Sequence, residues 1–496
     1  MFTRIWSVLG LAAVSLSTML GSSDSPITPI KYVVVIFDEN NSFDHYFGTY
    51  PNALYPNGVA ATAANPYGES RFISLPHTPP VNGLTPVLNN LGATAPFRLD
   101  RAQETTCDND NHYKDEQTAY NSGLINLFAT TTSATGAGCT PYLSMGYYDG
   151  NTVTALWNYA QYFAMSDNYF DTEFGTTVMG HLNLVAGQTH QNSVESISGK
   201  VANGSVIANV EAGFDDCVTT ANGTPVQMTG KNIGDLLNAA GVSWGWFYAD
   251  YPQATGTHPT SCPSTYNSHY APFMYYSSTS NPHHLPPASP ALVGASADQA
   301  NHNYAMTDFW NAVAAGNMPS VVFLKASKPQ TGHPSDSSPL AEQTFLVNTI
   351  NQLQQTRFWS QMAIFITYDD SDGWYDHVMP PIVNQSNDPA NDTLAGSRYC
   401  GTPQPGAYND RCGYGTRLPL LLISPYAKQN YVDHGLSDIT SLTRFIEDNW
   451  SLGRLGDQSF DALAGPLNGL FDFVHTPRFG RRLLLDPDAG TVASQQ

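Results

Sequence analysis

Two stretches of this chain are apolar at nearly every position and then stop on oxygen. YVVVIF (32–37) runs into Asp38, Glu39, Asn40 and Asn41, and MAIFITY (362–368) runs into Asp369 and Asp370. A strand with one face in water alternates polar and apolar residues, whereas a continuously apolar strand is buried on both faces, the condition of a largely parallel sheet between helices. The surrounding pattern agrees. Residues 153–170 open as a helix, 232–249 and 306–326 read as helix then strand, and 341–370 is a long amphipathic helix delivering MAIFITY. Residues 418–427 add another buried strand, and 437–450 a closing helix capped by Ser437. The expectation is an α/β chain, and 496 residues suit one continuous unit of this kind.

Between these elements lie stretches rich in Pro, Gly, Asn and Ser, at 51–95, 251–300 and 380–415. They are too long for simple connections and read as ordered excursions over one face, where function tends to reside. Only 20 Lys and Arg oppose 41 Asp and Glu, a formal charge of −21, which excludes the basic surface that nucleic acids require. Charged residues make up 12% of the chain, roughly half the usual share, as suits an exported protein working at low pH. Arg4 precedes an apolar run from Ile5 to Leu20, followed by small polar residues and Pro26. This reads as a secretory signal over 1–25, leaving one domain over 26–496 with a short C-terminal tail from about 476; a membrane anchor is the competing reading, but the run is shorter than the ~20 residues a bilayer span needs. Six cysteines without a CxxC spacing point to three disulfides rather than zinc, with sequence neighbours suggesting 107 with 139, 217 with 262 and 400 with 412.

In open α/β sheets, sites lie beyond the carboxyl ends of strands. The two apolar runs therefore deliver Glu39, Asn40, Asp369 and Asp370 to one edge. Clustered carboxylates need a cation, protons or water to coexist. Asp and Asn are also ordinary turn residues after strands, so this arrangement alone leaves metal binding and a plain turn both open.

ENNSFDHYFG (39–48), TYDDSDGWYDHVMPP (367–381) and GTRLPLLLISPYAK (415–428) resemble the motifs of the secreted bacterial phosphoesterase family that contains phospholipase C and acid phosphatase A. DNDNHYKDEQTAYNSG (108–123), FGTTVMGHLNLVAG (174–187), HYAPF (269–273) and GHP (332–334) follow in the family's order. The resemblance implies an alkaline-phosphatase-like three-layer α/β/α sandwich. It implies that Glu39, Asn40, Asp369 and Asp370 bind one divalent metal ion, with Asp38 and Asn41 in supporting turns. It makes Thr177 the nucleophile, with Thr176 as the alternative. It places His112 and His269 in the phosphate pocket and His333 on the leaving group. A Thr hydroxyl needs such activation, and an imidazole can donate the proton that an alkoxide takes up. Threonines before a helix are otherwise simple caps, and His45, His181, His377 and the His283–His284 pair read as structural.

The sequence also departs from the family pattern. Leu124, Ile125 and Asn126 stand where Lys-Met-Asp is usual, and Gly180 where Asn is usual. The implied activity is secreted or periplasmic, metal-dependent hydrolysis of phosphate esters through a phosphothreonine, of acid phosphatase or phospholipase C type. A sulfatase or phosphonate hydrolase of the same fold group competes with it, as does a non-catalytic binder of phosphate or phospholipid headgroups. The sequence lacks a P-loop, a dinucleotide glycine fingerprint and a GxSxG.

Overall fold

The strand Tyr32–Asp38 lies in the middle of an eight-stranded sheet, flanked by Val321–Lys325 and Met362–Tyr368. In this computed structural model the described residues are 25–496, apart from Asn52, Pro56, 64–67, 85–93, 219–222, Ser397, Arg398, Thr476 and Arg478. Residues 1–24 of the signal segment read from the sequence fall outside them. Across the sheet the order is Asn303–Ala305, Trp244–Tyr248, Val321–Lys325, Tyr32–Asp38, Met362–Tyr368, Leu420–Ile423, Ala164–Ser166 and Tyr431–Asp433. Leu420–Ile423 alone among these runs antiparallel to its neighbours, so the sheet is largely parallel.

Alternation along the central strands separates two helical layers. Phe37 packs edge-on against His181 of the helix Thr177–Ala186, and Phe365 against Phe445 of Thr440–Trp450. Tyr368, three residues beyond Phe365, points the other way and donates to Glu342 of the helix Pro339–Gln354 at 2.5 Å. Successive side chains of a strand leave by opposite faces, so helices cover both sides and the layers are α/β/α. Every residue of Met362–Tyr368 is buried, as its uninterrupted hydrophobicity requires.

Two local details differ from the sequence expectation. Ser437 pairs with Tyr169 in a short two-stranded bridge, and the last long helix begins at Thr440, whose amide donates to Asp438 Oδ2 at 3.1 Å. The C-terminal segment, expected as a tail, forms a hairpin of Leu483–Leu485 with Val492–Gln495. Asn351 and Gln354 of the long helix anchor it by donating to Leu485 and Leu483 carbonyls. The disulfides join Cys107 to Cys139, Cys217 to Cys262 and Cys400 to Cys412. Among the described residues no helix is long and apolar enough to cross a membrane.

Candidate active site

Asp38 and Tyr368 are register partners, so the next two residues of each strand leave the sheet side by side. Asn40 takes a left-handed backbone (φ 58°), which Asn tolerates better than most residues, and the chain turns there. Backbone and side chain then lace the two ends together. Asn40 N donates to Asp369 Oδ1 at 3.1 Å, Asn41 N to Asp370 O at 2.9 Å, and Asn40 Nδ2 to Asp372 Oδ1 at 3.2 Å. Glu39, Asn40, Asp369 and Asp370 are fully buried at this edge.

Glu39 Oε2, Asn40 Oδ1 and Asp369 Oδ2 are buried acceptors without a hydrogen-bond donor. Burial pushes the carboxyls of Glu39, Asp369 and Asp370 upwards, and the negative charge of Asp369 raises the other two further. Lys325, one residue beyond the Ile36–Leu324 pair on the adjacent strand, opposes this by pairing with Glu39. Its ammonium also lies 4.4 Å from the Tyr270 ring centroid. One ammonium cannot balance three buried carboxylates, and clustered buried oxygens without donors are the chemistry that a hard divalent cation takes; ligand atoms of Glu39 and Asp369 lie within 4.8 Å of each other. These residues fit a metal ion.

The helix Thr177–Ala186 brings the hydroxyl. Thr177 is its first residue, and Oγ1 lies 3.4 Å from Asp370 Oδ2; Thr176 is the N-cap, its hydroxyl buried without a partner. Helix and strand end meet so closely that a Cβ on Gly180 would sit 1.9 Å from the Asp369 carbonyl oxygen. The departure from the family's Asn at this position is thus a packing requirement of this chain. Glu116 ties the approach loop to the opposite wall, accepting from Gly175 N at 3.0 Å and from Ser371 Oγ. Burial lifts Glu116 to about 8, against those two hydrogen bonds.

The histidines fall in different places. His333 donates through Nδ1 to Pro334 O at 2.6 Å and shares a cluster with Asp108 and Asp372 in which one donor atom from each lies within 4.8 Å of the others. His269 Nε2 is 3.3 Å from Glu211 Oε1. His112 stands exposed, paired through Nδ1 with Asp110; from that segment it is Asn111 that enters the site, donating to Asp370 Oδ1 at 2.9 Å. His181, read from the sequence as structural, lies with Nδ1 2.8 Å from Thr177 O and 3.5 Å from Asp369 Oδ2. Burial holds it well below its usual range, reinforced by Lys325. Sequence reasoning also passed over Lys325 and Asn111. Lys325 ends an apolar strand just as Glu39 follows one, so the same strand-end signal points to it. Asn111 had no signal apart from its motif neighbours.

Fold and site together define the class, an α/β/α sandwich with buried carboxylates at the carboxyl ends of its central strands. The chain belongs to the phosphoesterase family, which it matches over residues 30–453. It is 27% identical over 444 residues to a non-hemolytic phospholipase C of Burkholderia pseudomallei, an alignment covering 85% of this chain and 55% of that protein. With phospholipase C A of Mycobacterium tuberculosis it shares 24% identity over 486 residues, 95% of this chain and 83% of the relative. The chain thus spans little more than half the length of the Burkholderia relative. Murine ectonucleotide pyrophosphatase/phosphodiesterase 5 aligns with 64% of this chain and 95% of its own at 14% identity and a TM-score of 0.31, a likeness that carries no argument.

Proposed function

We propose that the protein hydrolyses phosphate esters outside the cytoplasm, with Thr177 as nucleophile and a phosphothreonine intermediate. Glu39, Asn40, Asp369 and Asp370 would hold one divalent metal ion. The observation that carries the reading is the Thr177 hydroxyl at the first turn of a buried helix, 3.4 Å from Asp370 Oδ2, whose neighbours Glu39, Asn40 and Asp369 each keep a buried oxygen without a donor. When bound, the cation supplies charge neutralisation for the alkoxide and for the phosphoryl oxygens. Thr177 Oγ1 forms the new bond to phosphorus as the ester oxygen departs, and Asp370 Oδ2 is the acceptor nearest to its proton. The helix N-terminus turns its positive dipole end towards the phosphate, although Val178 N already donates to Asn209 Oδ1 at 3.0 Å. His333, its Nδ1 tied to Pro334 O, would act as the imidazolium, giving its Nε2 proton to the leaving alkoxide and being left neutral. Water then splits the phosphothreonine, regenerating the hydroxyl and releasing phosphate from a monoester or the phosphorylated headgroup from a phospholipid. Asn111 and Lys325 contact the centre through Asp370 and Glu39. The substrate is a phosphomonoester or a phospholipid headgroup. Three disulfides support an oxidising compartment.

The test uses purified protein on an aryl phosphomonoester, phosphatidylcholine and an aryl sulfate, across pH 4 to 9, with and without chelator. Turnover of a phosphate ester, abolished by chelator, is the expected result, and the first two substrates separate phosphatase from phospholipase C. Thr177→Ala should fold normally and lose at least about 10³-fold in turnover. Full activity in that variant rejects the nucleophile, and turnover of the sulfate alone rejects the substrate class.

A further inference from the structure

Outside the active site, two histidines converge on one carboxylate oxygen. His258 Nδ1 lies 2.6 Å and His283 Nδ1 2.7 Å from Asp216 Oδ2. Their rings meet edge to face at 4.4 Å between centroids. The three donor atoms lie within 4.8 Å of one another, a span that side-chain rotation can bring to the roughly 3.3 Å separation that ligands about 2.0 Å from a tetrahedral zinc ion impose. All three side chains are partly open to solvent, at 58%, 50% and 33% relative exposure for His258, His283 and Asp216. Water can therefore complete a coordination shell.

The ground beneath the cluster is fixed. Asp216 N donates to Pro282 O at 3.0 Å, and Ala254 N to His284 O at 2.9 Å. Next door, Asp215 is buried with His284 Nε2 at 2.8 Å and accepts from Cys217 N at 2.8 Å. Cys217 is bridged to Cys262, so its sulfur is spent and the segments carrying Asp216 and His258 are covalently joined. The imidazoles thus project from backbone held in place before any ligand arrives, which lowers the ordering that binding requires.

We infer that Asp216, His258 and His283 form a surface site for a borderline divalent cation such as zinc, distinct from the catalytic centre, that clamps the 251–300 excursion to the 211–217 segment. The donor chemistry separates the two sites. Two imidazoles and one carboxylate suit zinc, copper or nickel, whereas the oxygen-rich catalytic set suits harder ions. Without a cation each Nδ1 donates to Asp216. With one, both Nδ1 atoms become ligands, and each ring carries its proton on Nε2, which faces water.

The experiment is a zinc titration by calorimetry of the untagged protein and of the His258→Ala/His283→Ala double variant, in excess magnesium, with phosphate-ester turnover measured alongside. Wild type should bind one more equivalent than the variant, turnover should be the same in both, and zinc should slow proteolysis within 251–300 in wild type alone. Equal stoichiometry in the two proteins overturns the site. If the double variant folds poorly, His258→Gln and His283→Gln serve singly; each should lose the extra equivalent, and its retention in both overturns the site equally. Because the readout is a difference in bound zinc, it is independent of whether Thr177 is the nucleophile.

Discussion

Gly180→Ala tests the apposition on which the catalytic reading depends. The new Cβ would lie 1.9 Å from the Asp369 carbonyl oxygen, 2.6 Å from its carbonyl carbon and 2.9 Å from its Cα. These are backbone atoms, so no side chain can swing aside. Reaching the 3.4 Å of ordinary contact requires the helix to retreat by about 1.5 Å. Two effects compete. Alanine favours an isolated helix by about 1 kcal/mol over glycine, while overpacking a filled interior costs about 1–3 kcal/mol, and more for a backbone clash. The clash should win, leaving a net loss of about 2 kcal/mol and a fall of a few degrees in Tm. Catalysis should suffer more. Thr177 sits one turn earlier on the same helix, and a misplacement of about 1 Å is worth on the order of 10²-fold in rate. The assay is kcat on the best phosphate ester beside thermal unfolding: kcat should fall about 100-fold while circular dichroism stays native. A variant with kcat within twofold of wild type would falsify the claim that contact with Asp369 positions the nucleophile.

Asp369→Asn should keep the fold, weaken metal binding and reduce kcat steeply; excess divalent cation should restore part of it, and a rate indifferent to both the substitution and chelator counts against metal dependence. Lys325→Met leaves Glu39 buried without its cation, so in chelator the variant should lose about 3–5 kcal/mol in denaturant unfolding, with part regained on adding metal. No difference between the chelated and metal-loaded variant refutes the idea that Lys325 and the metal ion neutralise the same group. Glu342 gives a pH signature. Burial lifts it from 4.5 to about 8 despite hydrogen bonds from Tyr368 and Tyr46, so the folded chain holds this proton more tightly than the unfolded chain. Its contribution is complete below pH 4.5 and is lost as pH rises towards 8, a few kcal/mol in all. Glu342→Gln should flatten that slope; an unchanged slope assigns it to other groups.

The central sheet was legible because its strands are apolar throughout, a pattern that little besides burial on both faces produces. The strand ends were legible for the same reason, since polar residues at the end of a buried run must be satisfied by something. Ser437 misled because cap preference is local, whereas a bridge to Tyr169 took the serine and left Asp438 to cap the helix. Gly180 shows the limit from the other side. Read from the sequence, it is a lost polar contact; in the fold it is the space that lets Thr177 approach Asp370. Neither a neighbour 189 residues away nor its backbone direction is written in local pattern. Asn111 is a similar case: adjacent to His112, it differs only in which way the loop turns, and that choice depends on Asp110 taking the imidazole outwards.

The site's electrostatics and the chain's composition belong together. Glu39, Asp369, Asp370 and Asp372 are buried as a group, with Lys325 as the cation paired into it. Burial raises every one of these carboxyls, so they are poised to hold protons when no metal ion is there. Proton and cation compete for the same oxygens, and metal affinity must therefore rise with pH until the carboxyls are ionised. A net charge of −21 draws cations towards the molecule, and the same charge disfavours the folded state as pH rises. On the proposed reading, a chain built this way can remain stable in acid without a metal ion, where protons relieve the repulsion, and would need the ion towards neutrality. The buried carboxylate cluster is then tolerable because each regime supplies its own positive charge.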